Sequence, residues 1–381
     1  AAPEAERLRT AFIESTRHID LEWTKAPPAA TTIDHRGQIF DTNSSLPVDF
    51  LDVTRVTDMI PPKVEPSPVK QLHFHPFEPR AIILDNHGSL KAVRLDDKSS
   101  VLEHEIPSTS GKPPCCAAYA SDGSVFLGLR HGFINKIDMQ TAHIQQIKIT
   151  DTKDDILGCY GSMNGLVAFT TKLSVHLMHA ETAILLNTIS LPHQIYCGTF
   201  TDDGDFFLAA GELGSISLFE CEYPTLKDSL RIVGTFRTKE MQLIRSIAFR
   251  AGKVAIGNEK GVLTVYDFEE IRAHLLIPRV QRVSVPQPSP IVQKMNLITA
   301  ITALAFNPTG EILAFGSNGE RNSLRMLHIG SMRVFPNWPT ASTPLGNVRS
   351  VAFSPDGRWF AYGNSGGKCC MWLLKFYAKD E

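Results

Sequence analysis

Several features that mark large classes of proteins are missing from this 381-residue sequence. No apolar run approaches the ~18 residues of a membrane-spanning helix, and no segment resembles a secretory signal. The formal net charge is only −2, which argues against indiscriminate binding of nucleic acid. The lack of a long apolar run leads us to expect no membrane association. Seven cysteines include no C-x-x-C pair, so we expect free, buried thiols in a reducing compartment.

The motifs of common catalytic and phosphate-binding sites are also missing. The sequence has no G-x-S-x-G, no H-E-x-x-H and no G-x-x-x-x-G-K-[ST]. The segment GNSGGK at 363–368 has a glycine-to-lysine spacing one residue too short, and Cys369 follows where Ser or Thr is required. We interpret it as a turn between strands. His73 and His75 share one strand face, but no third ligand is spaced to join them. We therefore expect no enzymatic activity, no metal and no cofactor.

What the sequence does contain is a repeat. Residues 301–327 and 348–374 each begin with an alternating apolar run ending in Phe, followed by a turn of the type Asn/Ser-Pro-x-Gly. A strand of small residues, a Gly/Asn turn and a third strand complete each copy. Proline removes a hydrogen-bond donor and glycine permits a positive φ, so both turns have a physical basis. A unit of about 40–50 residues with several short strands is typical of a WD40-type β-propeller.

The same strand-and-turn pattern recurs along the chain at intervals of 40 to 57 residues. It predicts an all-β, seven-bladed ring with blades beginning near residues 69, 114, 155, 195, 244, 301 and 348. A proline-rich segment after Phe249 indicates an insertion loop between two blades. The Trp-Asp signature is degenerate, since Tyr266-Asp267 is its closest approximation and no Gly-His pair occurs. The residues that mark the seven first strands are Phe74, Tyr119, Tyr160, Phe200, Phe249, Phe306 and Phe353.

The last repeat shows only three strands, so the ring needs a fourth strand from elsewhere. Residues 49–56 alternate apolar with polar just before the first repeat, and we predict that they pair into the last blade and close the ring. Residues 1–47 are predicted to form an N-terminal arm, with a short amphipathic helix at 4–16 and an extended segment. The propeller would then span 48–377, with a tail at 378–381.

Positive charge is concentrated in one part of the sequence. Residues 232–295 contain ten Lys and Arg against five Asp and Glu, a local balance of +5. Such a sector could contact a phosphate backbone, and the alternatives are solvated loop charge or contacts to an acidic protein. The candidate contact residues are Arg237, Lys239, Arg272, Arg279, Arg282 and Lys294.

Trp338 lies in the proline-bracketed segment 335–346 (FPNWPTASTPLG) and has two interpretations. An exposed indole on an irregular loop would be an anchor for a partner protein. Alternatively, the loop packs its tryptophan onto its own blade.

One long segment resembles a known family. Residues 294–368 are similar to the C-terminal blades of the U3 small nucleolar RNA-associated protein 18 family. The shared motifs are the MNL-x-T entry at 295–299, NP-x-x-EILA at 307–314, LR-x-LH with VF-x-N-x-P across 324–339, and GN-x-x-GK at 363–368. Upstream, RGQIFDTNSSLPVDFLDVTRVTD and VKQLHFHP also resemble the family. Residues 110–240 match only as a generic propeller.

The resemblance implies a non-catalytic scaffold in ribosome biogenesis, located in the nucleolus of the nucleus. Members of that family belong to the UTP-B subcomplex of the small-subunit processome, beside other WD40 propeller subunits and a helical-repeat protein. The subcomplex assembles on the 5′ external transcribed spacer of pre-rRNA with U3 RNA, for maturation of 18S rRNA. The family also recruits an exosome-linked RNA helicase through a Leu-Phe-x-x-Asp motif, which is not found in this sequence. The chain does not begin with Met, so we expect further sequence upstream, where that motif would lie.

Two other classes of function stay open at this point. The propeller could be an adaptor in another assembly, such as a ubiquitin ligase or a trafficking complex, and its partners would then exclude pre-rRNA and processing factors. A propeller enzyme would need convergent acids or metal ligands, which the sequence does not display.

Overall fold

The computed structural model describes residues 46–60, 66–96, 99–107, 113–149, 154–221, 230–277 and 287–378, and the backbone of 31–33 and 39–41. The chain divides into two compact units, Ala1–Leu46 and Pro47–Glu381. In the first unit, β1 (Thr31–Ile33) and β2 (Ile39–Asp41) form an antiparallel pair. The amphipathic helix predicted at 4–16 lies outside the described residues.

The second unit is a ring of seven four-stranded antiparallel sheets, which confirms the predicted seven-bladed propeller. The outer strand of the last blade comes first in sequence and is β3 (Val53–Asp58). Blade 1 comprises β4 (Val69–Phe74), β5 (Arg80–Asp85), β6 (Leu90–Asp96) and β7 (Ser99–Ile106). Blade 2 comprises β8 (Cys116–Tyr119), β9 (Val125–Gly128), β10 (Phe133–Ile137) and β11 (Ile144–Lys148). Blade 3 comprises β12 (Gly158–Gly161), β13 (Leu166–Thr170), β14 (Ser174–His179) and β15 (Leu185–Ser190).

The remaining blades follow the same order from the ring axis outward. Blade 4 comprises β16 (Ile195–Phe200), β17 (Phe206–Gly211), β18 (Ser215–Cys221) and β19 (Leu230–Arg237). Blade 5 comprises β20 (Ile244–Arg250), β21 (Lys253–Asn258), β22 (Leu263–Asp267) and β23 (Val292–Lys294). Blade 6 comprises β24 (Ala303–Phe306), β25 (Ile312–Gly316), β26 (Leu324–His328) and β27 (Arg333–Val334). Blade 7 comprises β28 (Val348–Phe353), β29 (Trp359–Asn364), β30 (Cys369–Leu374) and β3.

The core lies between neighbouring blades. The second strands β13, β17, β25 and β29 are buried along their whole length, because each faces a sheet on both sides and is built from apolar or small residues. Between blades 1 and 2, for example, Ile82 and Leu84 pack with Val125, Leu127 and Ile137. Burial of this apolar surface, at about 25 cal/mol per Å², is what holds the blades in a ring.

Side chains close the tight turns between first and second strands. The Asn307 amide oxygen accepts from the backbone N–H of Ile312 at 2.8 Å, and the Ser354 hydroxyl accepts from the N–H of Trp359 at 2.9 Å. Gly357 in the second of these turns has φ +75°, a left-handed conformation that favours glycine. The Asn/Ser-Pro-x-Gly turns are therefore formed as predicted, and these polar side chains belong to the structure of the ring.

The ring closes through its N-terminal strand, as predicted. β3 pairs antiparallel with β30, placing Val53 opposite Leu374, and the backbone N–H of Met59 donates to the carbonyl oxygen of Cys369 at 2.7 Å. Val53–Asp58 is the observed extent of the strand, shifted toward the C-terminus relative to 49–56. The Ser350 hydroxyl accepts from the N–H of Leu72 at 3.0 Å, which joins the inner strands of blades 7 and 1.

One helix interrupts the strand pattern. α1 (Phe268–Leu276) follows β22 directly, with Asp267 as its N-cap accepting from the N–H groups of Glu269 and Glu270 at 2.9 and 3.3 Å. Its apolar face joins the core between blades 4 and 5. The expected insertion loop between two blades is wrong in this respect, because the segment begins with a helix and lies within blade 5, before its fourth strand. No helix in the described ranges is long and apolar enough to cross a membrane.

Candidate interaction surfaces

The strand order gives the ring two different rims. Each blade is an antiparallel meander, so connections from the second to the third strand and from one blade to the next lie at one end. We call this end the first rim. Connections from the first to the second and from the third to the fourth strand lie at the other end, the second rim. A residue's position on its strand therefore decides the rim to which it belongs.

Three of the six candidate cations lie on the first rim. Arg237 ends β19, Lys239 lies in the connection from blade 4 to blade 5, and Lys294 ends β23. Arg237 and Lys239 are exposed and Lys294 is half-buried. Arg245, at the start of β20, and Lys260, between β21 and β22, join them and are exposed. Blades 4 and 5 thus present five cations at this end of the ring.

The other cations of the basic sector lie on the second rim or outside the described residues. Arg272 is on α1, with its guanidinium 5.0 Å from the ring centroid of Phe206 and 3.6 Å from a carboxylate oxygen of Glu269. Arg279 and Arg282 fall outside the described ranges. The cations of this segment that the structure describes therefore do not share one surface, because the strands carry successive residues to opposite rims.

Arg250 shows how cations of the second rim are used. Its Nε donates to the carbonyl oxygen of Pro308 at 2.6 Å in blade 6, and its Nη1 lies 3.3 Å from Oδ1 of Asp202 in blade 4. The other oxygen of Asp202 accepts from the N–H of Ala251 at 2.7 Å. One arginine of blade 5 thereby ties together the turns of three blades, which is a structural role.

Trp338 is buried, so its proposed use as an exposed anchor has to be corrected. Only 3% of its surface is exposed, and its indole makes edge-to-face contacts with Phe360 and Trp372 at centroid distances of 5.7 and 5.3 Å. In the same segment, the Asn337 amide donates to the carbonyl oxygen of Leu51 at 2.8 Å and accepts from its N–H at 3.0 Å. The indole is therefore buried, as the alternative interpretation expected, but it packs on the neighbouring blade 7 beside the closing strand and not on its own blade.

The two histidines considered as metal ligands have other surroundings. Burial lowers the pKa of His73 to about 4, which keeps its ring neutral at physiological pH. The Nδ1 atom of His75 accepts from the N–H groups of Phe77 and Glu78 at 3.2 and 3.0 Å, so it shapes the first turn of blade 1. Across the described ranges, no three His, Cys, Asp or Glu side chains gather as a group that could hold a metal ion.

The seven cysteines are free thiols. The Sγ atoms of Cys116 and Cys159 lie 3.1 Å apart between blades 2 and 3, and burial raises the pKa of the Cys159 thiol. Burial likewise raises the pKa of Cys370 to about 11. The thiols of Cys159 and Cys370 are therefore protonated at neutral pH and pack as small apolar groups.

Comparisons with known proteins agree with the fold and with the resemblance. The family model "WD domain, G-beta repeat" matches residues 340–372, which contain most of blade 7. The WD40 β-propeller domain of Doa1 superposes with a TM-score of 0.63 at 10% identity, covering 85% of this chain and 97% of that one. At that identity the likeness shows the fold alone.

Sequence relatives carry one name. U3 small nucleolar RNA-associated protein 18 of Saccharomyces cerevisiae is 25% identical across 91% of this chain, and the Drosophila melanogaster homologue is 25% identical across 88%. The human homologue is 24% identical across 90%. The chain is a relative of this family. It spans 64%, 64% and 60% of the yeast, fly and human proteins, about three fifths of the length of these relatives.

Sequence reasoning missed several exposed apolar residues on the first rim. Leu213, Met241, Met295 and Ile298 lie in turns or connections and are 50–81% exposed. Each of them lies next to a strand rich in apolar residues, so the apolar pattern of the sequence alone assigns them to the core. A usable signal was their position just outside the strand pattern, where turn residues are normally polar.

Proposed function

We propose that this chain is the propeller part of a non-catalytic scaffold that acts with U3 small nucleolar RNA in ribosome biogenesis. The observation that carries the proposal is the relationship to proteins of that name across 88–91% of this chain in yeast and fly. A rigid ring with two accessible rims is suited to hold several partners at once, because its loops can vary without disturbing the blades.

The more specific part of the proposal concerns the assembly. The chain would act in the nucleolus as a member of the UTP-B subcomplex of the small-subunit processome, beside other WD40 propellers and a helical-repeat protein. Together they would hold the 5′ external transcribed spacer of pre-rRNA and U3 RNA during maturation of 18S rRNA. Recruitment of an exosome-linked helicase would depend on a motif outside this sequence.

The contact surface that the geometry favours is the first rim of blades 4 and 5. Arg237, Lys239 and Lys294 lie there with their charges accessible to a partner. Arg272 is a weaker candidate, since its guanidinium is already engaged by Phe206 and Glu269. Arg279 and Arg282 lie outside the described residues and stay in the proposal as candidate contacts.

Affinity purification of the tagged chain, with protein identification and sequencing of bound RNA, tests this function. We expect enrichment of U3 RNA, of the 5′ external spacer and of other processome propellers. Partners that include neither U3 RNA nor small-subunit processing factors would contradict the proposal and favour an adaptor in another assembly.

A further inference from the structure

Four exposed aliphatic residues lie close together in the fold, on the first rim of blades 4 to 6. Leu213 is 50% exposed, Met241 58%, Met295 81% and Ile298 79%. We call these four residues the apolar ridge. Exposed apolar residues also occur on the second rim, for example Leu276 and Ile291 of blade 5, which are 65% and 45% exposed. An exposed apolar cluster of this size on a folded surface marks an interaction site more often than an isolated residue does.

The loops that carry Leu213 and Met241 touch each other. The N–H of Thr238 donates to the carbonyl oxygen of Gly214 at 3.0 Å, and a Cβ on Gly214 would lie 3.3 Å from the Cα of Met241. The turn after β17 and the connection between blades 4 and 5 are therefore in van der Waals contact. Leu213 and Met241 are neighbours on the surface.

The contact continues to the loop of Met295 and Ile298. The N–H of Glu259 donates to the carbonyl oxygen of Leu243 at 3.0 Å, and Gly261 lies against the carbonyl oxygen of Leu297 so closely that no side chain would fit. The Gln293 amide, two residues before Met295, donates to a carboxylate oxygen of Glu240 at 2.9 Å. The loops that carry the four residues of the apolar ridge therefore form one row, in which each loop touches the next.

The backbone presents Leu213 and Met241 in an unfavourable conformation. Their φ angles are 53° and 47°, in the left-handed region that large side chains rarely occupy. Met332 also has a positive φ of 54°, but its side chain packs against the core between blades 5 and 6. Leu213 and Met241 have no such compensation, since half or more of each side chain faces solvent. Strain of this kind at an exposed site points to function.

Positive charge surrounds the apolar ridge. The first rim of blades 4 and 5 carries five cations, Arg237, Lys239, Arg245, Lys260 and Lys294, against the three acids Glu212, Glu240 and Glu259. Within the part of the chain that the structure describes, none of the five cations forms an ion pair. A net charge of +2 beside exposed aliphatic side chains calls for a ligand that is both acidic and apolar.

We propose that the apolar ridge docks an acidic protein segment with two or more bulky apolar side chains. These side chains would pack against Leu213, Met241, Met295 and Ile298, while Asp or Glu residues would pair with the surrounding cations. RNA fits this surface less well, because aliphatic side chains offer neither stacking faces nor donors for phosphate. The inference rests on the proposed scaffold function and names the partner class at the same rim.

Selection from a displayed library of random peptides on the immobilised full chain tests the proposal. We expect the enriched peptides to combine Asp or Glu with bulky apolar residues, and to bind more weakly as salt is raised. The double variant L213E/M241E should lower the affinity of a synthesised enriched peptide about tenfold or more, as expected for central anchors. Ile184→Glu, an equally exposed residue on the second rim, should leave the affinity unchanged.

A second pair of variants separates binding from folding. Leu213→Gly and Met241→Gly remove the side chain but adopt the left-handed backbone without strain. We expect the melting temperature to stay the same or rise while peptide affinity falls. A fall in melting temperature with unchanged affinity would show that the two side chains support the fold, and would overturn the proposal.

Two further outcomes would also overturn it. Enriched peptides that bind L213E/M241E as well as the unmodified chain would place the docking surface elsewhere. A fluorescent single-stranded RNA oligonucleotide that competes fully with the peptides at the ridge would make RNA the occupant. If U3 RNA is recovered with the tagged chain but no acidic, apolar peptide binds the ridge, only this inference is rejected. If such peptides bind the ridge but no U3 RNA is recovered with the tagged chain, only the proposed function is rejected.

Discussion

The second rim of blade 2 and the first rim of blades 4 and 5 use their charged residues differently. On the second rim, Asp122 accepts from the backbone and hydroxyl of Ser124 and lies 3.3 Å from Lys136, and Asp138 accepts from Gln140 and Thr141. On the first rim of blades 4 and 5, the cations are accessible beside exposed aliphatic residues. These second-rim charges hold turns in place, while the first-rim cations of blades 4 and 5 are the proposed contacts to a partner.

This difference teaches that charge density in a propeller sequence says little about function by itself. A charge at a turn that is closed by side-chain hydrogen bonds stabilises the blade. A charge in an open connection is available for recognition. Variants at four sites, taken in order of decreasing effect on stability, distinguish these two uses of charge and of exposed connections.

Trp338 tests whether an aromatic residue in a first-rim connection is structural. Trp338→Ala should reduce the free energy of unfolding by about 3–5 kcal/mol, because it removes a buried indole packed on Phe360 and Trp372. Trp338→Phe, which keeps an aromatic ring, should cost clearly less. Urea unfolding followed by fluorescence measures both. A near-neutral Trp338→Ala would return this residue to the exposed-anchor interpretation.

Arg250 tests the structural role of second-rim charge. Arg250→Ala should cost about 1–2 kcal/mol, because it leaves the Pro308 carbonyl and Asp202 without their charged donor. The matched control is Lys375→Ala, which removes an exposed ion pair with Asp52 at 3.0 Å and should cost about 0.5 kcal/mol or less. Equal costs in thermal or urea unfolding would show that the three-blade tie contributes nothing.

His73 gives the inner strand of blade 1 a dependence on pH. Burial lowers its folded-state pKa to about 4, below the usual value near 6.5, so between these values protons bind the unfolded chain preferentially. The contribution of His73 to the free energy of unfolding is therefore complete above about pH 6.5 and is lost as pH falls toward 4. We expect a loss of about 2 kcal/mol, less than the roughly 3 kcal/mol that the full pKa difference represents, because the residue is partly exposed to solvent.

The variant His73→Gln separates the pH-dependent contribution of His73 to stability from that of other acid-sensitive groups. The difference in unfolding free energy between the unmodified chain and the variant should change between pH 6.5 and 4 and stay flat above pH 7. A pH-independent difference would mean that the imidazole titrates normally in the folded protein.

The first-rim cations should matter least for stability. The double variant R237E/K239E should change the free energy of unfolding by no more than about 0.5 kcal/mol, because both side chains are exposed and outside the core. Its recovery of partners in an affinity purification should nevertheless fall. Arg333→Glu, at an exposed position on the second rim, is the control for both measurements. A large loss of stability in R237E/K239E would remove the contrast between the rims.

Much of the fold follows from sequence for a physical reason. Turn chemistry and period-two burial are local, so residues such as Asn307 and Ser354 mark the turns that their side chains close. The closing strand was also predictable, since a three-stranded last blade leaves an open edge. Helix α1 was missed although Asp267 and the spacing of Phe268, Ile271 and Leu275 fit an N-capped amphipathic helix. Because prolines follow the helix closely in sequence, the whole segment was predicted as a loop.

The candidate surface was less predictable than the fold. Each strand carries the chain from one rim to the other. Lys253 and Lys260, at the two ends of β21, are therefore close in sequence but lie on opposite rims. The exposure of Leu213 and Met241 depends on how two connections meet in space, which no local pattern encodes. Trp338 illustrates the reverse case, because burial under a neighbouring blade cannot be read from a proline-bracketed loop.

One measurement tests the contrast between the rims most directly. Three forms would be purified side by side: the tagged chain, the first-rim variant R237E/K239E/L213E/M241E and the second-rim variant I184E/R333E. Their bound proteins and RNA would be quantified once the three forms had been shown to have the same melting temperature. We expect the second-rim variant to retain U3 RNA and partner proteins and the first-rim variant to lose its protein partners. Equal recovery by all three forms, or losses confined to the second-rim variant, would contradict this expectation.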